Sequence, residues 1–132
     1  MTADEVEQEF RTSPYHEFLG LEFRSNEPGT AEIDMPFREE LVSDPDVPYL
    51  HGGVIAALLD IAGDYAVATR LGRGVPTIDM RVDFLKTAGR EPLTARARVV
   101  KLGRSLAVAD AEVANAQGEI LAVGRIVYST KA

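Results

Sequence analysis

Apolar and polar residues alternate over much of the second half of the chain, and this pattern predicts strands. In residues 77–86, Ile78, Met80, Val82 and Phe84 alternate with polar residues, which is the two-residue period of a half-buried strand. Three further segments are rich in Val, Ala and Ile, and they are joined by two-residue connections that contain glycine and favour β-hairpins. The four predicted strands are 77–86, 92–102, 105–116 and 119–129.

The middle of the chain has the pattern of one long helix that is buried on most sides. Residues 53–71 are apolar almost all the way round a helix, and Gly72 follows as a C-terminal stop. Ahead of this helix, residues 1–18 are predicted to form an N-terminal helical segment with a first helix over 3–10 and a second short turn that starts at Ser13-Pro14. Between this N-terminal segment and the long helix, strands are predicted at 19–26 and 30–37, and a loop is predicted at 38–50.

Helices and strands are segregated along the chain, which predicts an α+β fold with an antiparallel sheet. Because the sheet has one apolar face and the long helix is apolar on nearly every side, we expect the sheet to curl around the helix. No repeat, linker or low-complexity stretch interrupts the 132 residues, so residues 1–132 are predicted to form a single domain.

The composition excludes several classes of protein. The chain is 45% hydrophobic and 27% charged, close to the average of a soluble globular domain. No apolar run reaches the length of a membrane span and the N-terminus is acidic, unlike a signal peptide, so we expect a cytoplasmic protein with no membrane partner. The absence of cysteine excludes disulfides and cysteine nucleophiles, and the presence of only two histidines argues against a metal site.

Charge is distributed unevenly along the chain. The formal net charge of -7 argues against a nucleic-acid partner. Residues 1–66 hold 15 acidic and 3 basic side chains, whereas residues 67–132 hold 6 acidic and 11 basic ones. The basic residues are densest from Arg81 to Arg104, where they form either solvated strand faces or a patch for a small polyanion such as a phosphorylated cofactor.

Asp60 is the most informative position for chemistry, because it lies inside the apolar helix. An ionised carboxylate there is costly unless it is paired or hydrated, and Asp64 lies one turn later on the same helix face. One interpretation is structural: this face meets solvent or caps a neighbouring loop. The other is a carboxylate at the floor of a cleft that acts as a general base or nucleophile.

The sequence His51-Gly52-Gly53 lies at the start of the predicted helix. Glycines let a ligand approach the backbone, and free N–H groups at a helix start can donate hydrogen bonds to an oxyanion. Nine residues separate His51 from Asp60, which places the two on opposite sides of an ideal helix. If both serve one reaction, a second subunit must supply one of them, which predicts an obligate dimer.

Four stretches of the sequence carry a family resemblance: PYLHGGVIAALLDIAGDYA, PTIDMRVDFLKTA, KLGRSLAVADAEV and GEILAVGRIVY. In this order they resemble the hotdog-fold acyl-CoA thioesterases of the phenylacetate-degradation (PaaI-like) type, over about Ser13 to Tyr128. The resemblance implies a hotdog fold, in which an antiparallel sheet wraps around one central helix. It also implies hydrolysis of an acyl-CoA to the acid and free CoA, with CoA as part of the substrate and no separate cofactor.

The resemblance further implies roles for individual residues. Asp60 activates water or attacks the thioester carbonyl itself, and the backbone N–H of Gly53 or Gly52 polarises that carbonyl from the opposite subunit. Thr77 orients the water. The CoA nucleotide is expected at the dimer edge, near a turn and a basic residue that correspond to Gly103, Arg104, Ser105 and Arg90.

One position departs from the family pattern. Many relatives carry Asn or Gln about six residues before the HGG motif, where this chain has Pro45 between two aspartates. Either the loop is rebuilt and His51 takes over that role, or the chemistry is weaker. The alternatives are a non-catalytic acyl-CoA binder, a hotdog hydratase or dehydratase that uses His51 with Asp60, and a structural interaction protein. The acyl group and the choice between homodimer and homotetramer stay open.

Overall fold

Over residues 3–131, which a computed structural model describes, the chain folds into short N-terminal helices, one long helix and six strands. The elements in chain order are α1 (Ala3–Thr12), α2 (Pro14–Leu19), β1 (Glu22–Arg24), β2 (Thr30–Met35), α3 (Gly52–Leu71), β3 (Thr77–Phe84), β4 (Leu93–Leu102), β5 (Leu106–Asn115) and β6 (Ile120–Ser129). A single 3-10 turn (Glu39–Leu41) interrupts the predicted loop between β2 and α3. The predicted order of two strands, one long helix and four strands is confirmed. Of the predicted N-terminal helical segment and single domain, Met1, Thr2 and Ala132 lie outside the described residues.

The predicted strand at 19–26 is wrong at its start. Leu19 is the last residue of α2, and Gly20 ends that helix in the left-handed conformation with a φ of 71°. The side chain of Ser13 accepts a hydrogen bond from the backbone N–H of His16 and caps the other end of α2. Because both ends of this short helix are capped, it extends to Leu19, and β1 is only three residues long.

The six strands form one antiparallel sheet in the order β1-β2-β4-β5-β6-β3, and α3 packs against one of its faces. Small side chains on β4 and β5 let the helix lie close to the sheet, and these buried alanines are Ala95, Ala97, Ala107, Ala109 and Ala111. On the helix, Leu58, Leu59, Ala62 and Ala66 are fully buried. The expected α+β hotdog architecture, a sheet wrapped around one helix, is confirmed.

Strand β3 is an open edge of the sheet and contains a bulge near its start. Its outer edge has no partner strand within residues 3–131, and Ile78 and Phe84 are each 56% exposed. Thr77 lies opposite Tyr128 of β6, but Asp79 lies opposite Val127, so Ile78 is an extra residue in the pairing. Strict alternation would place Thr77 with Asp79 on the outer face, whereas the bulge turns Thr77 towards α3.

Candidate active site

Asp60 lies in the third turn of α3 and faces the first residue of β3. Its carboxylate accepts a hydrogen bond of 2.7 Å from the Thr77 hydroxyl, and the Asp60 side chain is half-buried. The carboxylate is therefore paired with a neutral donor and has lone pairs left to accept a further hydrogen bond. Thr77, which the family resemblance assigns to orienting the water, is thus a direct partner of Asp60, and the bulge at Ile78 is what makes this contact geometrically possible.

Asp64, one turn later, is held differently. One of its carboxylate oxygens accepts a hydrogen bond of 2.8 Å from the backbone N–H of Val75. Burial raises the pKa of Asp64 to about 7, against the lowering effect of the Val75 hydrogen bond, and the charges of Asp60 and Glu9 raise it further. The two aspartates thus influence each other electrostatically, as expected for neighbours on one helix face, but different groups hold their carboxylates. The structural interpretation, in which the helix face caps a neighbouring loop, describes Asp64.

Tyr128 is a residue of this site that the sequence analysis missed. It lies opposite Thr77 on β6, is fully buried, and donates a hydrogen bond of 2.6 Å from its hydroxyl to the backbone carbonyl of Asp60. Gly63 leaves the space for that hydroxyl, because a Cβ atom at Gly63 would overlap it. A glycine inside an otherwise apolar helix is the signal in the sequence that could have indicated a close approach here.

The HGG segment forms the start of α3, with His51 as the N-cap residue. The Nδ1 atom of His51 accepts a hydrogen bond of 2.8 Å from the backbone N–H of Gly53. No acceptor for the Gly52 N–H is found among the residues that the structure describes, although Phe84 lies beside this glycine. Of the two predicted oxyanion donors, Gly52 is therefore the one whose N–H is free to meet a ligand.

Asp60 and the start of α3 are too far apart to act on one carbonyl group within a single chain. Eight residues separate Gly52 from Asp60, which corresponds to about 12 Å along the helix axis. The two groups also lie against different ends of β3, since Phe84 approaches Gly52 and Thr77 contacts Asp60. This geometry agrees with the reasoning that led to the dimer prediction, and the dimer itself stays a prediction.

The residues expected near CoA fall into two groups. Arg90 forms an ion pair of 2.6 Å with Glu39 and donates hydrogen bonds to the carbonyls of Pro45 and Val47, so it braces the loop before the helix. By contrast, Arg104 is exposed in the turn between β4 and β5 and has no ion-pair partner in the part of the chain that the structure describes.

The turn that carries Arg104 is anchored to the C-terminal segment. Thr130 donates from its hydroxyl to the carbonyl of Gly103 at 2.8 Å and from its N–H to the carbonyl of Ser105 at 3.0 Å. Most of the basic residues between Arg81 and Arg104 instead pair with acidic neighbours. These pairs are Arg81–Asp83, Lys86–Glu119, Arg90–Glu39, Arg96–Glu32 and Arg98–Asp110. The interpretation as solvated strand faces therefore describes most of the basic stretch, and Lys101 and Arg104 are its two exposed members without an ion-pair partner among the described residues.

Residues 3–131 contain neither a metal-binding cluster nor a membrane-spanning helix. No group of three or more histidine and acidic side chains in this range is arranged to hold a metal ion. None of the helices in the same range is both long enough and apolar enough to cross a membrane.

The sheet wrapped around α3, with Asp60 on the helix and a glycine pair at its start, defines a hotdog-fold protein with a carboxylate site. The sequence profile of the thioesterase superfamily matches residues 48–122, which include the glycine pair, both aspartates and Thr77. The chain belongs to this superfamily, and it is a thioester hydrolase.

Individual relatives agree with this assignment. The chain is 30% identical to the medium/long-chain acyl-CoA thioesterase YigI of Escherichia coli over 130 residues, which cover 87% of this chain and 84% of the relative. A crystal structure of a thioesterase-superfamily protein superimposes with a TM-score of 0.90 at 37% identity and covers 96% of both chains. A mutant of the phenylacetic acid degradation protein PaaI from Thermus thermophilus superimposes with a TM-score of 0.79 at 28% identity, covering 89% of this chain and 98% of that one.

Proposed function

We propose that this protein hydrolyses acyl-CoA thioesters to the free acid and CoA, with Asp60 as the catalytic carboxylate. The observation that carries the proposal is the 2.7 Å hydrogen bond from Thr77 to Asp60, at a helix position surrounded by apolar residues. Thr77 fixes the orientation of the carboxylate, and the remaining lone pairs can accept a proton from water. An acyl-CoA substrate is supported by the relative YigI, a medium/long-chain acyl-CoA thioesterase.

In the general-base form of this reaction, Asp60 takes a proton from water while the water oxygen bonds to the thioester carbonyl carbon. The carbonyl oxygen becomes an oxyanion, and backbone N–H groups stabilise its charge. The carbon–sulfur bond then breaks, and the thiolate of CoA leaves and is protonated. In the nucleophilic form, a carboxylate oxygen of Asp60 bonds to the same carbon, and water hydrolyses the resulting anhydride. Thr77 can serve both forms, because it orients the carboxylate in each.

The oxyanion donor is proposed to be the Gly52 N–H of a second copy of the chain. The separation of about 12 Å given by the helix rise prevents one chain from supplying both groups, and the open β3 edge exposes Ile78 and Phe84 for pairing. His51 can add a second donor, because a neutral imidazole that accepts at Nδ1 carries its proton at Nε2. This donor would replace the amide that is absent at Pro45. CoA phosphates are assigned to Arg104, with Gly103 and Ser105 beside it.

Release of free thiol from a panel of acyl-CoAs tests the reaction. Phenylacetyl, benzoyl, short-chain and long-chain acyl-CoAs would be compared, with Asp60→Asn measured alongside. We expect thiol release from at least one of them and its loss in the variant. If no substrate is hydrolysed but acyl-CoA still raises the melting temperature, the non-catalytic binder is the correct alternative. Full activity in Asp60→Asn would exclude the proposed mechanism.

Mixing two inactive variants tests the shared site. Asp60→Asn lacks the carboxylate, and Gly52→Pro removes the N–H at the first helical position, where proline is tolerated and a Cβ atom would make an ordinary contact with Phe84. In a randomly mixed dimer with shared sites, one site of each heterodimer is intact, which predicts recovery of about a quarter of the native rate. No recovery after unfolding and refolding the mixture together would show that each chain carries its own complete site.

A further inference from the structure

Tyr128 makes a contact that helix formation does not require. Its hydroxyl donates to the carbonyl of Asp60 in the middle of α3, where the helical hydrogen-bond ladder already provides a donor. The ring lies in the core with no exposed surface, so it cannot turn towards solvent. This hydrogen bond joins the backbone of Asp60 directly to strand β6.

The hydrogen bond from Tyr128 to Asp60 also requires a glycine at position 63. A Cβ atom at Gly63 would overlap the Tyr128 hydroxyl and lie 3.2 Å from the ring carbon that carries it. A glycine inside a helix costs about 1 kcal/mol relative to alanine, so its presence in α3 requires a reason. The reason visible here is room for the hydroxyl beside the Asp60 carbonyl.

Tyr128 and Thr77 form a direct cross-strand pair, and both hold Asp60. Thr77 on β3 bonds the carboxylate at 2.7 Å, and Tyr128 on β6 bonds the backbone carbonyl at 2.6 Å. Asp60 is thus fixed to the sheet at both its side chain and its main chain. The raised pKa of Tyr128, caused by burial first and then by the charges of Asp60 and Asp64, keeps this hydroxyl protonated and able to donate at neutral pH.

We propose that Tyr128 is a positioning residue for Asp60: its hydroxyl fixes the height and rotation of this helical turn so that the carboxylate meets Thr77 and the thioester carbonyl together. This inference rests on the proposed function. Tyr128 does not contact the substrate in this arrangement, since it is covered completely by the helix and the sheet. Its removal should therefore slow the chemical step without weakening substrate binding.

The test is Tyr128→Phe, which removes the hydroxyl alone. We expect kcat to fall about tenfold with KM unchanged, because small displacements of a catalytic group reduce the rate of the chemical step. Tyr65→Phe is the matched control: Tyr65 is also a buried tyrosine, on α3 itself, but it packs against Phe10 and Phe23 and does not bond Asp60. The control should keep the native kcat at a similar melting temperature.

A double-mutant cycle separates positioning from general stability. If Tyr128 and Thr77 hold the same residue, Tyr128→Phe combined with Thr77→Val should lower kcat by less than the product of the two single effects. Gly63→Ala, which displaces the hydroxyl but keeps the tyrosine, should lower kcat in the native background and have little further effect on kcat in Tyr128→Phe.

Three results would overturn the inference. They are a native kcat in Tyr128→Phe, an equal loss in Tyr65→Phe, and fully multiplicative effects with Thr77→Val. In each of these cases the proposed function stands, provided that the native protein hydrolyses acyl-CoA and Asp60→Asn does not. If the native protein releases no thiol from any acyl-CoA, the proposed function fails and Tyr128 has no reaction for which to position Asp60.

Discussion

Two aspartates one turn apart on α3 have different surroundings. Asp60 meets a hydroxyl from the open edge strand and is half-buried, whereas Asp64 meets a backbone N–H and lies near Glu9 of α1. Asp64 serves the fold, because its oxygen satisfies the Val75 N–H at the entrance to β3. Asp60 remains available to a ligand. Residue type and helix face are the same, so the difference comes entirely from what covers each carboxylate.

The same contrast separates Arg90 from Arg104. Arg90 is engaged by Glu39 and by two loop carbonyls, and its guanidinium lies 5.9 Å from the centre of the Phe37 ring. Arg104 is exposed in a turn that the hydroxyl and N–H of Thr130 hold in place. Groups that bind ligands are therefore expected where the backbone is fixed but the side chain is not engaged.

The largest expected effect is on turnover when the two aspartates are exchanged for asparagine one at a time. Asp60→Asn removes the proposed catalytic carboxylate and should lower kcat by about 1000-fold. Asp64→Asn keeps an oxygen for the Val75 N–H and should change kcat by no more than about threefold. Steady-state thiol release measures both. A comparable loss in the two variants would show that the aspartates act as one unit and would break the comparison.

The second-largest expected effect is a pH dependence of the free energy of unfolding that arises from Asp64. Its pKa is about 7 in the folded protein against an ordinary value of 3.8, so the folded state holds a proton that the unfolded state releases between these values. Stability should therefore fall as the pH rises through this window, and Asp64→Asn should remove that part of the slope. We expect the variant to gain about 2 kcal/mol relative to the native protein between pH 5 and pH 8.

Urea denaturation at several pH values measures this difference in the free energy of unfolding. Because the other carboxylates are common to both proteins, comparison with Asp64→Asn isolates the contribution of the one group. An identical pH dependence of the two proteins would show that Asp64 is ionised in the folded state across the whole range.

A smaller effect on kcat is expected at Thr77, whose hydroxyl donates a hydrogen bond to the Asp60 carboxylate. Thr77→Val keeps the shape of the side chain but loses the hydroxyl, and it should lower kcat about tenfold, while Thr77→Ser should retain most of the activity. The matched pair distinguishes the hydrogen bond from packing, and kcat for one acyl-CoA is the measurement. Equal activity in the valine and serine variants would remove Thr77 from the mechanism.

The smallest expected effect separates the two arginines. Arg104→Ala should raise KM about fivefold for CoA thioesters and leave KM unchanged for short thioesters that lack the nucleotide, because one exposed phosphate contact is lost. Arg90→Ala should affect both kinds of substrate alike, since it loosens the loop around Pro45. Equal effects of Arg104→Ala on both kinds of substrate would contradict its assignment to CoA.

The fold was largely predictable because its periodic patterns are long. The alternating strands and the apolar helix are each repeated over eight residues or more, so their class and order follow from the sequence. The error at β1 arose where the pattern is short. Leu19 and Leu21 suit either a strand or a helix end, and only the left-handed Gly20 decides between them.

The sequence was sufficient to predict several residues of the candidate site but not the hydrogen bonds and strand register that hold them together. The position of Asp60 in an apolar helix and the glycine pair before it are visible in the sequence. The bond from Tyr128 joins residues 68 positions apart and depends on strand register, which composition and spacing do not specify. Likewise, the alternation in 77–86 places Thr77 on the outer face, and only the pairing with β6 reveals the bulge.

The bulge at Ile78 determines how the chain can change in length near this site. Pairing with β6 fixes the face of each position, because Thr77 lies opposite Tyr128 and Asp79 lies opposite Val127. Deletion of Ile78 would make Thr77 and Asp79 direct neighbours, and ordinary alternation would then keep Thr77 on the α3 side, beside Asp60. Loss of the bulge with Ile78 still present would instead turn Thr77 to the outer face, so a shorter strand should preserve the hydroxyl partner of Asp60 where a straightened strand of the present length would not.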